Sequence, residues 1–250
     1  MTGLPPLPLT APPANPLTGG LYTAARGVDA PDDRHHGGIA LESPNTGGAG
    51  QWPTACPTPE ETPEKTGGRA EPVVFPATVV WAADECHTVG VTDDEARARA
   101  AQTLRLREPV EVEKHVAAQL KAKAEAEEQT AATLAEAVAV AEEKIAAAGY
   151  VGVLHASRRL IVAAETAKLI RREGQTLLTP GGHQWAFGAG YTALGVDTIV
   201  ATGPVIIRRG PVESRIAVDA RRNTRVAVAE RVVAAVWEPP TTVITITTTS

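Results

Sequence analysis

The sequence predicts a fold of mixed helix and strand, class α+β, and three observations predict it. The segment VTDDEARARAAQTLRLREPVEVEKHVAAQLKAKAEAEEQ is long, alternates in charge and repeats its apolar residues at helical spacing. The stretch EKIAAAGYVGVLHASRRLIVAAE, Glu143 to Glu165, reads as helix, short buried strand, helix. The segment DTIVATGPVIIRRGPVESRIAVDARRNTRVAVAERVVAAVW has the β-branched texture of about four strands.

The elements follow in order. Residues 1 to about 20 are rich in Pro, Leu and Thr. Proline removes backbone donors and favours extended chain, so this is an arm, ordered only where it lies on something else. Gly37 to Gly68 is dense in Gly, Pro, Ser and Thr, the composition of a long loop or open hairpin. Trp52 lies inside it and needs an apolar partner on its own domain or on a neighbouring subunit. PVVFPATVVWAADE, Pro72 to Glu85, reads as one or two strands broken at Pro76.

A long helix starts at Thr92, an N-cap with Glu95 three residues on, and Asp93 and Asp94 suit its positive end. Ala96, Ala100 and Leu104 share a face, and the pattern resumes at Val112, Val116 and Leu120. Pro109 between them is expected to kink or interrupt the helix. The charged positions read as a solvated face. A second helix is expected over Thr130 to Ala148, with Leu134, Val138, Ala141 and Ile145 on one stripe and Gly149 as its stop. Tyr150 to His155 is the buried strand. Ser157 is expected to cap a third helix, carrying Leu160, Ile161, Ala164 and Leu169 and closed by Gly174. LLTPGGHQWAFGAGY is a turn-rich crossing with Trp185 and Phe187 in the core. DARRN is a turn between two strands, and the tail TTVITITTTS suits an edge strand.

Composition excludes several classes of function. A net charge of -5 argues against a protein that grips nucleic acid through its phosphates, though not against one that surrounds it. No apolar run reaches membrane-spanning length, and the N-terminus lacks a signal-peptide pattern. Two cysteines, Cys56 and Cys86, make no disulfide framework, and with His35, His36 and His87 they lack the short paired spacing of structural zinc. Cys86 and His87 are adjacent and point apart on an extended chain, so they are no nucleophile and base. GGHQWAFGAGY lacks the strand and helix that frame a dinucleotide loop. Arg208, Arg209, Arg221 and Arg222 read as solvated pairs near strand ends, and Glu142 and Glu143 lie on the solvent side of their helix. No cofactor, metal or catalytic residue is expected. A different class, an α/β enzyme with an unrecognised site, remains the competing reading, with a tail or connector protein behind it.

The order of these elements resembles the Hong Kong 97-type (HK97-like) major capsid proteins of tailed bacteriophages, and the related encapsulin shells. PEKTGGRAEPVVFPATVVWAADE is similar to the returning strand of that family's extended loop (E-loop). TDDEARARAAQTLRLREPVEVEKHVAAQL resembles its spine helix, and LAEAVAVAEEKIAAAGYVGVLHASRRLIVAA its axial-domain core. DTIVATGPVIIRRG and NTRVAVAERVVAAVW resemble the return to the peripheral domain. The likeness spans roughly residues 30 to 240 and is one of architecture.

The resemblance implies a flexible N-terminal arm over 1–32 and an E-loop over 33–75. A P-domain with the spine helix follows over 76–128, an A-domain over 129–215, and return strands with a C-terminal tail over 216–250. It implies a structural, non-enzymatic capsid subunit of a virion, assembled in the bacterial host cytoplasm. Its partners would be identical subunits in pentamers and hexamers around double-stranded DNA, with scaffold, portal or decoration proteins. An encapsulin-type shell is the alternative. Trp52, Lys65, Arg69 and Asn223 are the expected interface residues. Some family members cross-link a loop Lys to a neighbour's Asn, for which Lys65 and Asn223 are conceivable partners.

Overall fold

The computed structural model of the 250-residue chain describes residues 7, 9–52, 54, 64–124 and 129–247. In chain order the elements are α1 (Leu21–Ala24), β1 (Arg26–Asp29), β2 (Ile39–Leu41), β3 (Val73–Phe75), β4 (Thr78–His87), α2 (Asp93–Ala122), β5 (Gln129–Ala131), α3 (Leu134–Ala147) and β6 (Val153–Ser157). There follow α4 (Ile161–Thr166), β7 (Arg171–Glu173), β8 (Thr176–Leu178), β9 (Gln184–Gly188), β10 (Thr198–Thr202), β11 (Val205–Arg209), β12 (Glu213–Asp219), β13 (Thr224–Trp237) and β14 (Thr241–Ile246).

Two sheets organise the chain. In the first, β13 pairs antiparallel with β4 along one edge and with β11 and β12 along the other, and β1 lies parallel to β11. The second runs β5-β14-β10-β6-β9-β8-β7. A ribbon of β2 and β3 stands apart. Sheet membership crosses the boundary expected at residue 216: β11 belongs to the first sheet, and β14 returns to the second. β14 is therefore not an edge strand, because β5 pairs with its outer side.

α2 is the shared wall. Its N-cap Thr92 accepts the Glu95 N–H at 3.2 Å, and Asp93, Asp94 and Glu95 occupy the positive end. Ala96, Ala100, Leu104, Val112, Val116 and Leu120 are buried as their spacing predicts. They share one core with Val80 and Ala82 of β4 and with Ala227, Ala229 and Val233 of β13. The helix runs through Pro109 without interruption. Proline deletes one ladder bond, and the apolar stripe buried on both sides of it outweighs that loss, at about 1.5–3 kcal/mol per large side chain.

The charged positions of α2 correct the solvated-face expectation at two places. Glu108 and Glu113 are buried. Glu113 accepts the Leu21 N–H at 3.0 Å and the Gly190 N–H at 2.8 Å. Burial raises its pKa, and these bonds and Arg158 oppose the rise. Gly190 is required there, since a Cβ would lie 2.6 Å from Glu113 Cβ and would also strike the Val110 carbonyl. Glu108 accepts the Tyr22 hydroxyl at 2.8 Å and faces Arg231 at 3.4 Å. These two carboxylates and the β1–β11 ladder join residues 19–29 to the body, with Leu21 fully buried. The arm expected over 1–32 is thus built in from about Gly19, and the described residues before it are exposed apart from the half-buried Pro16.

The second core lies under α3, with Val138, Ala141 and Ile145 against Leu154, Trp185, Phe187 and Ile199. Sheet alternation exposes both faces to packing: Val153 and Val200 join the first core, and Leu154 and Ile199 join the second. α3 starts later than expected. Thr133 caps it by accepting the Glu136 N–H at 3.1 Å, and residues 129–131 form β5 instead. The third helix is also shorter. Ser157 makes no side-chain cap, a 3-10 turn spans Arg158–Leu160, and α4 ends at Thr166. Gly174, with φ 60, closes the β7–β8 hairpin rather than a helix. The crossing around Trp185 is strand β9.

His155 bridges the two layers. Thr202 Oγ donates to the Gly203 carbonyl at 2.9 Å, so it accepts from His155 Nε2 at 2.9 Å, and Nδ1 accepts the Tyr191 hydroxyl at 2.8 Å. Desolvation pushes the imidazole pKa down to about 3. Unfolded, the ring titrates near about 6.5, so between these values the folded chain binds fewer protons. Its contribution to stability is complete above about pH 6.5 and is lost as the pH falls toward the folded value, at up to about 1.4 kcal/mol per pH unit. Glu113, raised rather than lowered, acts in the opposite sense. Urea midpoints of the dissociated chain are expected to fall with acid from about pH 7 to about pH 4, and to fall less steeply in His155→Gln.

Candidate assembly interface

The ribbon of β2 and β3 is the root of the long loop. Phe75 is buried and meets the Trp237 ring edge-on at 4.6 Å, and Gly38, with φ 97, turns the chain beside the Phe75 carbonyl. Asn45 donates to Glu238 at 3.2 Å, and Lys123 donates to the Val74 carbonyl at 2.6 Å. Beyond this root no described side chain from Glu42 to Val74 is buried. The two limbs hold each other: Arg69 pairs with Glu42 at 2.9 Å, and Lys65 Nζ sits 4.1 Å from the centroid of the Trp52 ring. An exposed contact of the second kind contributes about 0.5–1 kcal/mol.

Three of the four expected interface residues, Trp52, Lys65 and Arg69, therefore lie together on this loop. Asn223 lies elsewhere, in the β12–β13 turn at φ 53, bonded to the Thr88 hydroxyl. Arg208 and Arg209 face Asp32 and Asp29 at 3.9 and 3.0 Å, and Arg222 faces Asp219 at 3.8 Å. Glu142 accepts the Gly181 N–H at 2.7 Å, so it holds a loop as well as facing solvent. Cys56 lies outside the described residues; Cys86 is a free thiol, partly buried on β4.

A second surface escaped the sequence reading. Among the described residues β4 pairs only with β13, which leaves its other edge open. Val79 and Trp81 on it are 45% and 64% exposed, values that place two large apolar side chains in solvent. Alternation within VVWAA gives the signal in hindsight, since Val80 and Ala82 point inward. Among the described residues no group of three or more His, Cys, Asp or Glu could hold a metal ion. No helix among them is long and apolar enough to cross a membrane.

No protein-family model matches the chain, and no curated protein is similar to it. Solved structures do match. The mature capsid of bacteriophage PhiM1 is similar over 99% of this chain and 93% of its own, at TM-score 0.54 and 12% identity. A virus-like particle from Pyrococcus furiosus matches over 91% and 92%, at TM-score 0.55 and 7% identity. An encapsulin of Synechococcus elongatus matches over 70% and 75%, at TM-score 0.51 and 10% identity. The chain has the Hong Kong 97-type fold, in class α+β.

The loop geometry is testable. A Cβ at Gly48 would collide with the Thr66 carbonyl, where the two limbs touch. Gly48→Val is expected to part the limbs and to speed tryptic cleavage after Lys65 and Arg69 several-fold, read by mass spectrometry of early digests. Unchanged rates would show that the limbs do not depend on this contact.

Proposed function

We propose that the chain is a shell subunit: the major capsid protein of a tailed phage or prophage, which self-assembles into an icosahedral head. The observation that carries this reading is the long loop, whose described side chains from Glu42 to Val74 remain unburied although the body behind it has two complete cores. A polypeptide gains little by projecting such a segment unless another surface receives it. Near-complete coverage of a mature phage capsid subunit supports the same reading.

In this reading the residues before Gly19 are the arm and residues 33–75 the E-loop. α2 with the first sheet is the peripheral domain, and α3 with the second sheet is the axial domain. Identical copies meet as pentamers and hexamers, the loop lies over the next subunit, and double-stranded DNA is enclosed without specific recognition. The net charge of -5 suits a wall that releases its contents. The virion is then its location, after assembly in the host cytoplasm, with scaffold, portal or decoration proteins as further partners and no enzymatic role. An encapsulin-type shell, which shares the fold, is the alternative.

Purified protein is expected to elute as megadalton particles or defined capsomers, visible by negative stain, and nuclease-protected double-stranded DNA would separate a head from a cargo compartment. A small monodisperse species at every concentration would remove the reading. Trp52→Ala is expected to keep the far-ultraviolet circular dichroism of the subunit while raising the concentration needed for assembly at least about tenfold. Loss of the folded signal would place Trp52 in an internal core instead.

A further inference from the structure

A hollow of about 550 Å³ lies where residues 16–22 cross α2, facing Arg209, Val212 and Arg231 of the first sheet and its β11–β12 connection. Pockets for small molecules span about 300–1,000 Å³. Exposure separates its floor from its rim. Leu104 and Glu108 are 2% and 6% exposed and form the floor, whereas Leu17 and Val212, 57% and 47% exposed, stand at the rim. Pro16, Ala101 and Pro109 complete walls that offer water few hydrogen bonds.

The polar groups in the hollow are few and converge. Glu108 is satisfied from within: it accepts the Tyr22 hydroxyl at 2.8 Å and faces Arg231 at 3.4 Å. Burial, reinforced by the Glu108 charge, pushes the Tyr22 pKa up, so the hydroxyl stays a neutral donor.

Positive charge is in excess. Three guanidinium groups, of Arg105, Arg209 and Arg231, line the space against one carboxylate. Arg105 bonds the Ala14 carbonyl and the side-chain oxygens of Asn15 and Gln102, all neutral, at 2.9, 2.7 and 3.2 Å. Arg209 reaches Asp29 at 3.0 Å, but that carboxylate is 69% exposed and lies outside the hollow. The Arg209 guanidinium itself sits 5.8 Å from the centroid of the Tyr22 ring. Nε of Arg209 and Nε of Arg231 are buried with no hydrogen-bond partner among the described residues. A guanidinium can hold a carboxylate through two parallel N–H donors, and salt screens such a pair less when apolar walls surround it.

We propose that this hollow binds a small free molecule with an apolar body and one carboxylate. The body rests on Leu104, Pro109 and Leu17, and the carboxylate meets Arg209. The site is complete in one chain and does not depend on assembly. A ligand held there ties residues 16–22 to α2 and to the sheet, and so stabilises the folded chain.

Equilibrium dialysis of full-length protein against naphthalene-1-acetate, with its amide as the uncharged counterpart, reads the site by absorbance. Saturation at one acetate per chain is expected, with the amide at least about tenfold weaker. Arg209→Met is expected to lower the acetate to the level of the amide while the chain stays folded, because its partner Asp29 is exposed. Ala101→Trp is expected to fill the hollow and abolish binding of both, with unchanged far-ultraviolet circular dichroism. Val212→Trp, from the sheet side, replaces it if that variant does not fold.

Equal affinity for acetate and amide would overturn the proposal. So would full acetate binding in Arg209→Met, binding that survives in a folded tryptophan variant, or no saturable binding. The end of a peptide carries the same chemistry. Tighter binding of N-acetyl-Ala-Ala-Leu than of naphthalene-1-acetate, lost in the tryptophan variant, would assign the hollow to a chain terminus and overturn the small-molecule occupant.

Discussion

The structure depends on how closely one long helix lies on one long strand pair. The face that α2 presents toward β4 and β13 begins with Ala96 and Ala100, and the sheet answers with Ala82, Ala227 and Ala229. Small side chains on both sides let the backbones approach, and interiors tolerate no void between such surfaces. Larger residues enter where the second layer joins: Leu104, Val112, Val116 and Leu120 share their core with Val153, Val200, Tyr191 and Leu194. A chain with only 4% aromatic residues thus builds a continuous core from many modest contacts.

Buried carboxylates then decide which parts of the chain belong to that body. Glu113 and Glu108 lose solvation on folding, a cost of several kcal/mol per ion unless hydrogen bonds replace the water. Their replacements come from distant segments: the Leu21 and Gly190 backbones for one, Tyr22 and Arg231 for the other. The same interactions that make the helix tolerable also fasten the chain from about Gly19 onward. Among the described residues no buried carboxylate holds the stretch before it, which Gln102, Arg105 and Arg158 bind at the surface, or the loop beyond the Phe75 root. The braced loop and the open edge of β4 are left outside that body.

Much of this was legible in the amino-acid order. The buried stripe of α2, the stripe Val138, Ala141, Ile145, the strand break at Pro76 and the charged turn at DARRN all follow from local periodicity and turn chemistry, and the structure has each of them. The likeness to capsid shells came from the succession of elements and reappears as a match across nearly the whole chain. The candidate interface was only half legible. Trp52, Lys65 and Arg69 announced themselves as an aromatic and two cations in a loop of turn residues, whereas Trp81 hid inside an ordinary strand pattern, because exposure depends on which edge another strand leaves open.

By itself the sequence determined the start of α2 at Thr92, which apolar residues of α2 and α3 turn inward, and that a long stretch near Trp52 has too little apolar content to form a core. Those properties depend on neighbours within a few residues. Tertiary structure alone decided that α2 continues through Pro109, that Glu108 and Glu113 are buried, that β14 crosses back into the second sheet, and that His155 is held neutral. Each of these depends on groups far apart in the chain, such as Leu21 meeting Glu113 or Thr202 meeting His155, and local periodicity carries no record of desolvation by a distant segment.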